Sequence, residues 1–118
     1  MDSVKTIAVD FDGCIHRYRE GFKDGSIYDY PMPGVEEALK KLMEKYAVFI
    51  FSSRDPYQIM EWMDKKFTVK TQVINDAVKF WEQKDIIGIT TKKLPAIVYI
   101  DDRALKFISW GQVLREIK

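Results

Sequence analysis

Four short apolar runs divide the chain: Ile7–Phe11, Ala47–Phe51, Ile86–Thr90 and Ala96–Ile100. They do not alternate apolar with polar residues, which is the pattern of parallel strands covered on both faces. Three of them end in a distinctive way. The first carries Asp10-Phe11-Asp12-Gly13-Cys14 at its end, the second Ser52-Ser53, and the last Asp101-Asp102. Carboxylates at the end of a buried strand are costly unless something compensates their charge. Three strand ends that converge on metal- or phosphate-compatible groups outline a site.

Helical patterns lie between the runs. Pro33 can take the first helical position, with Glu36 and Glu37 in the first turn where the helix dipole favours acids. Val35, Leu39, Leu42, Met43 and Tyr46 then recur at helical spacing. Asp55 reads as the N-cap of a second helix, with Pro56 behind it, Gln58 in capping-box position and Ile59, Met60, Met63 and Phe67 as its apolar face. Asp76 to Gln83 reads as a third, shorter helix and Gly111 to Lys118 as a last one, while Val69–Ile74 fits either a short strand or an extended link. Strands alternating with helices predict a three-layer doubly wound α/β fold of Rossmann-like type with a mainly parallel sheet. In such sheets ligands bind at the carboxyl ends of the strands, where strand order reverses.

Residues 13–32 break the alternation. Asp12-Gly13 and Lys23-Asp24-Gly25-Ser26 are turn sequences, Cys14-Ile15-His16 can form one arm of a hairpin, and Tyr18, Phe22, Tyr28 and Tyr30 make the segment aromatic. It reads as a small flap beside the site. The expectation is one domain over residues 1–118, a size that supports a single core.

Composition narrows the function classes. A net charge of +1 gives no general attraction to nucleic acid or acidic membranes, so such a partner would need a local patch. Cys14 is the only cysteine, which rules out an internal disulfide and points to a reducing compartment. No apolar stretch approaches the roughly 18 residues of a membrane span, and Asp2 and Lys5 interrupt any signal-peptide core. A cytoplasmic protein with no membrane partner is expected.

Alternate residues of a strand share a side, so Asp10 and Asp12 can approach one pocket. Hard oxygen donors at this density suit Mg²⁺, which takes a few carboxylates and completes its shell with water or phosphate oxygens. Each group also has a plain structural reading. Asp12-Gly13 could be a hairpin turn, Asp101-Asp102 a loop pair held by Arg103, Ser52 a turn cap, and Lys92 and Lys93 exposed loop lysines. The two lysines matter by position, since they precede the strand leading to Asp101 and one can reach back into the crevice.

The order D-x-D, Ser, Lys, D-D, each on its own βα unit from Ile7 to Asp102, resembles the haloacid dehalogenase (HAD) superfamily, whose members are mostly Mg²⁺-dependent phosphohydrolases. IAVDFDGCI is similar to the superfamily's first motif and IVYIDDRA to its last. The resemblance implies a HAD-type sheet with Asp10 as nucleophile and metal ligand. It implies Asp12 as general acid/base, its main-chain carbonyl also touching the metal. Ser52 would hydrogen-bond the phosphoryl group, and Lys93, with Lys92 as the alternative, would neutralise it. Asp102, with Asp101, would complete the Mg²⁺ site. Cys14 stands where the motif usually has Thr and reads as a packing change.

HAD phosphatases often carry a cap domain. Here the first insertion point holds only the flap, and Arg54 to Ile86 leaves no room for a folded cap. A capless site implies a macromolecular substrate, or a small one enclosed by a partner subunit, which makes a homo-oligomer one expectation. Ser52-Ser53-Arg54 and Asp101-Asp102-Arg103 resemble the matching segments of the 3′-phosphatase domain of polynucleotide kinase-phosphatases, so nucleic-acid ends join small phosphorylated molecules as candidate substrates. Arg54 would then bind a second oxyanion bidentately, its plain alternative being a pairing with a nearby acid. Two rival classes stand beside the phosphatase. One is a catalytically silent HAD-like binding module. The other is a receiver-type phosphoacceptor domain, disfavoured because no aspartate ends the middle strand at Phe51.

Overall fold

A computed structural model of the chain describes residues 4–101 and 110–116. The elements in chain order are β1 (Thr6–Asp10), α1 (Val35–Met43), β2 (Ala47–Phe51), α2 (Pro56–Lys66), β3 (Thr71–Val73), β4 (Ile87–Thr90), β5 (Val98–Ile100) and α3 (Trp110–Glu116). The strands form one sheet in the order β3-β4-β2-β1-β5, and every pairing is parallel. The expected parallel α/β fold of Rossmann-like type is therefore present. The stretch with two open readings, Val69–Ile74, contains the edge strand β3.

Both faces of the sheet are covered, as the uninterrupted apolar runs require. Ile7 and Val9 of β1, Val48 and Ile50 of β2 and Ile87 and Ile89 of β4 face α1 and α2, which contribute Val35, Ala38, Leu39 and Leu42 and then Ile59, Trp62 and Met63. Trp110 of α3 joins this side. Ala8, Ala47 and Phe49 face the other way, against Ile74, Trp81 and Leu94. Right-handed crossovers account for the division. Connections stepping outward from β1 through β2 to β3 cover one face, and those stepping back to β4 and then β5, residues 74–86 and 91–97, cover the opposite one.

Local details depart from the sequence reading at three points. Pro33 lies outside α1, which begins at Val35 behind Gly34, whose φ of 77° is the left-handed value that glycine adopts without strain. Asp55 does cap α2, accepting from the Tyr57 amide at 3.0 Å, but Gln58 does not close a capping box; its side-chain amide donates to the Gly25 carbonyl at 3.2 Å. The third correction concerns residues 76–83, which are not helical. An Asn75 turn, with the Ala77 amide donating to Asn75 Oδ1, opens a non-helical strap that crosses the sheet face from the end of β3 to the start of β4. Trp81 is pressed onto the backbone of Gly88: a Cβ there would meet Trp81 Cε2 at 2.8 Å and Ile74 Cδ1 at 2.5 Å.

Candidate active site

Strand order reverses between β1 and β5, since β2 lies on one side of β1 and β5 on the other. Open α/β sheets bind ligands at this position. Register brings the predicted groups together here. Asp10 pairs with Phe51, so Ser52 begins just beyond it, and Val9 pairs with Ile100, so Asp101 follows alongside Asp10. Asp10, Asp12, Ser52 and Asp101 line one cavity of about 330 Å³, with Tyr18 from the flap and Tyr99 from β5.

The turn after β1 is tight. The amides of Cys14, Ile15 and His16 all point at the Phe11 carbonyl, and the Gly13 amide donates to the His16 carbonyl at 2.8 Å. Gly13 has φ 88°, which allows the reversal. Asp10 Oδ1 accepts from the Phe11 amide at 2.8 Å. Cys14 is fully buried in the helix-side core, in keeping with a packing role.

Ser52 is buried, its amide donating to the Thr90 carbonyl at 3.2 Å and its Oγ accepting from the Arg54 amide at 3.2 Å. That contact leaves the hydroxyl proton available to an acceptor in the cavity. The two lysines separate. Lys92 Nζ donates to the Asp76 carbonyl at 3.0 Å, away from the cavity, whereas Lys93 Nζ lies 5.3 Å from the Tyr99 ring centroid. The Tyr99 hydroxyl donates to the Leu94 carbonyl, and burial raises its pKa.

Arg54 is placed differently from a free anion-binding fork. Its Nε donates to Asp12 Oδ2 at 2.8 Å and its Nη1 to the Gly25 carbonyl at 2.6 Å, and the side chain is only 10% exposed. It pairs with an acid and with the flap. The other oxygen of Asp12 is taken as well, by His16 Nδ1 at 2.8 Å. His16 is fully buried, stacked on Phe11 and edge-on to Trp62 and Tyr28.

The flap is hairpin-like. Its arms meet where the Arg17 amide donates to the Tyr30 carbonyl and the Met32 amide to the Ile15 carbonyl. At its tip Asp24 accepts from the Ser26 amide and hydroxyl, which lowers its pKa. At its base the Arg19 guanidinium grips Asp29, with Nη2 to Oδ1 at 2.7 Å, and holds that carboxyl well below the usual carboxylate range. Tyr18 has φ 58°, a left-handed value uncommon for a non-glycine residue and costing about 1 to 3 kcal/mol. Strain of that kind persists where surrounding contacts dictate it, here at a residue lining the cavity.

The model of a phosphatase family, NLI interacting factor-like phosphatase, matches residues 5–116. The chain belongs to this family. No curated protein and no solved structure matched. The family is one of HAD-superfamily phosphatases, so membership agrees with the resemblance carried by the D-x-D and D-D motifs. In this NLI interacting factor-like phosphatase chain Asp102 and Arg103, expected in the last motif, lie outside the described residues.

Sequence reasoning gave no site role to His16 or Tyr99, and placed Tyr18 beside the site only as one of the flap's aromatic residues. For His16 a signal existed: it is the chain's only histidine and follows Asp12 by four residues across a glycine turn. For Tyr18 and Tyr99 no local pattern distinguishes a cavity-lining tyrosine from a packed one.

Among the described residues no helix is long and apolar enough to cross a membrane. Nor do three His, Cys, Asp or Glu side chains cluster among them as a metal group. The donor set nevertheless fits Mg²⁺, which needs only one or two carboxylates besides water and phosphate oxygens. Asp10 and Asp101 line the cavity with such oxygens, while both carboxylate oxygens of Asp12 are bonded to His16 and Arg54.

Proposed function

We propose that the chain is a Mg²⁺-dependent phosphomonoesterase that works through an aspartyl-phosphate on Asp10. The observation that carries this reading is the gathering of Asp10, Asp12, Ser52 and Asp101 around one cavity at the switch point of the sheet. A phosphate monoester repels an anionic nucleophile, and a divalent cation held by Asp10 and Asp101, with Asp102 as a further ligand, would offset that repulsion.

The protein's own groups then divide the work. A carboxylate oxygen of Asp10 attacks phosphorus in line, forming the acyl phosphate as the bond to the leaving oxygen breaks. Asp12 donates the proton that the leaving alkoxide requires. In the second step Asp12 takes a proton from water as that water attacks phosphorus, which releases inorganic phosphate and restores Asp10. The Ser52 hydroxyl donates to a non-bridging oxygen, and Lys93 approaches the same oxygens past the Tyr99 ring. Phosphate-ester hydrolysis is so slow without a catalyst that such a site supplies on the order of 20 kcal/mol of transition-state stabilisation.

Cavity size bears on the substrate. About 330 Å³ is near the lower end for ligand pockets and accommodates a phosphoryl group with a small alcohol. The remainder of a larger substrate would lie outside, past Tyr18, where an aromatic ring favours a nucleotide or nucleic-acid end by stacking. The deciding experiment is a Mg²⁺-dependent phosphatase screen over 3′- and 5′-phosphorylated oligonucleotides, nucleoside monophosphates and sugar phosphates. Turnover lost in Asp10→Asn is the expected outcome; turnover retained by Asp10→Asn rules the mechanism out.

A further inference from the structure

Asp12 meets a nitrogen donor at each of its two oxygens. Arg54 occupies Oδ2, and His16 occupies Oδ1 from a fully buried position. The histidine's proton is located by its second nitrogen. Nε2 faces the main-chain amide of Asp29 at 3.0 Å, and an amide can only donate. Nε2 is therefore the acceptor and the proton sits on Nδ1, aimed at Asp12. The Asp29 amide is itself held in place. The Asp29 carboxylate accepts from the Arg19 amide and guanidinium and from the Tyr30 amide, which fixes the flap base around the imidazole. Phe11, Trp62 and Tyr28 pack the ring, so its orientation is dictated from every side.

We infer that His16 is a positioning residue for Asp12: its Nδ1–H fixes the carboxyl group of the proton donor so that the flap, through His16, sets the geometry of proton transfer to the leaving group. This rests on the phosphatase reading and adds to it a role for a residue outside the D-x-D motif. A carboxyl group that rotates about χ2 presents its oxygens to the leaving atom only part of the time. A donor fixed at Oδ1 removes that freedom, and misplacements of about 1 Å can cost on the order of 100-fold in rate.

Two amide substitutions separate this role from packing. The Asn side-chain nitrogen can stand where His Nδ1 stands, whereas the Gln amide reaches the Nε2 position. His16→Asn thus keeps a donor for Asp12, and His16→Gln keeps only the Asp29 side. The readout is kcat/KM, which reports the steps up to phosphorylation of Asp10, on two esters in Mg²⁺. One is 4-nitrophenyl phosphate, whose leaving group departs without a proton; the other is an alkyl phosphate, whose leaving group needs one. For His16→Gln the alkyl ester is expected to fall by at least about 10-fold more than the aryl ester, within the range that general acid catalysis supplies. His16→Asn is expected to restore the wild-type ratio.

A parallel loss on both esters, or a wild-type ratio in His16→Gln, overturns the assignment. On the unaltered protein ¹⁵N imidazole shifts supply a readout independent of turnover: a protonated Nδ1 with a bare Nε2 supports it, and the opposite tautomer overturns it. Absence of turnover of both esters by the unaltered protein in Mg²⁺ instead fails the phosphatase reading, and the proton-donor role of Asp12 with it.

Discussion

Arg54 and Asp12 stand 42 residues apart in the chain, yet Arg54 Nε donates to Asp12 Oδ2 at 2.8 Å. The same guanidinium reaches the flap at Gly25, where the Gln58 amide also donates. Arg54→Lys keeps the charge but cannot supply both bonds. It is expected to cost about 1 to 3 kcal/mol in urea unfolding and to speed amide exchange over residues 21–26. Unchanged exchange there would mean that Gln58 alone retains the flap.

The Arg19–Asp29 pair makes stability depend on pH. The pKa of Asp29 in the folded protein is depressed below its ordinary value of 3.8, first by the Arg19 side-chain hydrogen bond. A depressed carboxyl contributes stability that is fully present above the ordinary pKa and is lost as pH falls below it. Asp24, held by Ser26, and Glu36, held by the Thr68 amide and hydroxyl, act in the same sense. The unfolding midpoint is expected to hold steady at neutral pH and to drop as pH falls below about 4. Asp29→Asn should show a shallower acid limb, and an identical limb would assign the effect to Asp24 and Glu36.

Gly88 has no room for a side chain beneath Ile74 and Trp81. Gly88→Ala is expected to destabilise the fold by about 1 to 3 kcal/mol through overpacking, read as a lower thermal midpoint. Double substitution with Ile74→Val should recover part of the loss, because the nearest atom is Ile74 Cδ1.

The lysines make a paired test. With Lys92 tied to Asp76 and Lys93 beside Tyr99, Lys93→Ala is expected to lower kcat/KM by about 100-fold, the scale of losing one charged donor to a transition state. Lys92→Ala should change it by less than about threefold. The reverse order would assign the phosphate-site lysine to Lys92.

Much of this molecule is legible in its sequence because parallel strands leave a strong record. Val9, Ile50 and Ile100 fill one face of the sheet and Ala8 and Phe49 the other, so the runs are apolar throughout, and their ends mark where the cavity must lie. The D-x-D spacing identifies Asp10 and Asp12 for the same reason. Less legible is whatever depends on distant partners. Val78 and Trp81 have a spacing that fits a helix face, but Gly88 across the sheet decides that the segment lies flat. Arg54 has the look of an anion ligand until Asp12 and Gly25 are brought to it by the fold. Pairings across dozens of residues leave no local periodicity to read.

The strap over Gly88 has a practical consequence. Trp81 and the Thr6 hydroxyl, which donates to the Trp81 carbonyl at 2.7 Å, pin it near the start of β1, and residues 82–85 beyond that point are exposed. They lie at the amino ends of the strands, opposite the cavity. Loop tips of this kind tolerate added sequence. A tag or tether spliced between Glu82 and Asp85 would thus immobilise the protein with its reactive edge turned outward, leaving Asp10 and the flap open to solution.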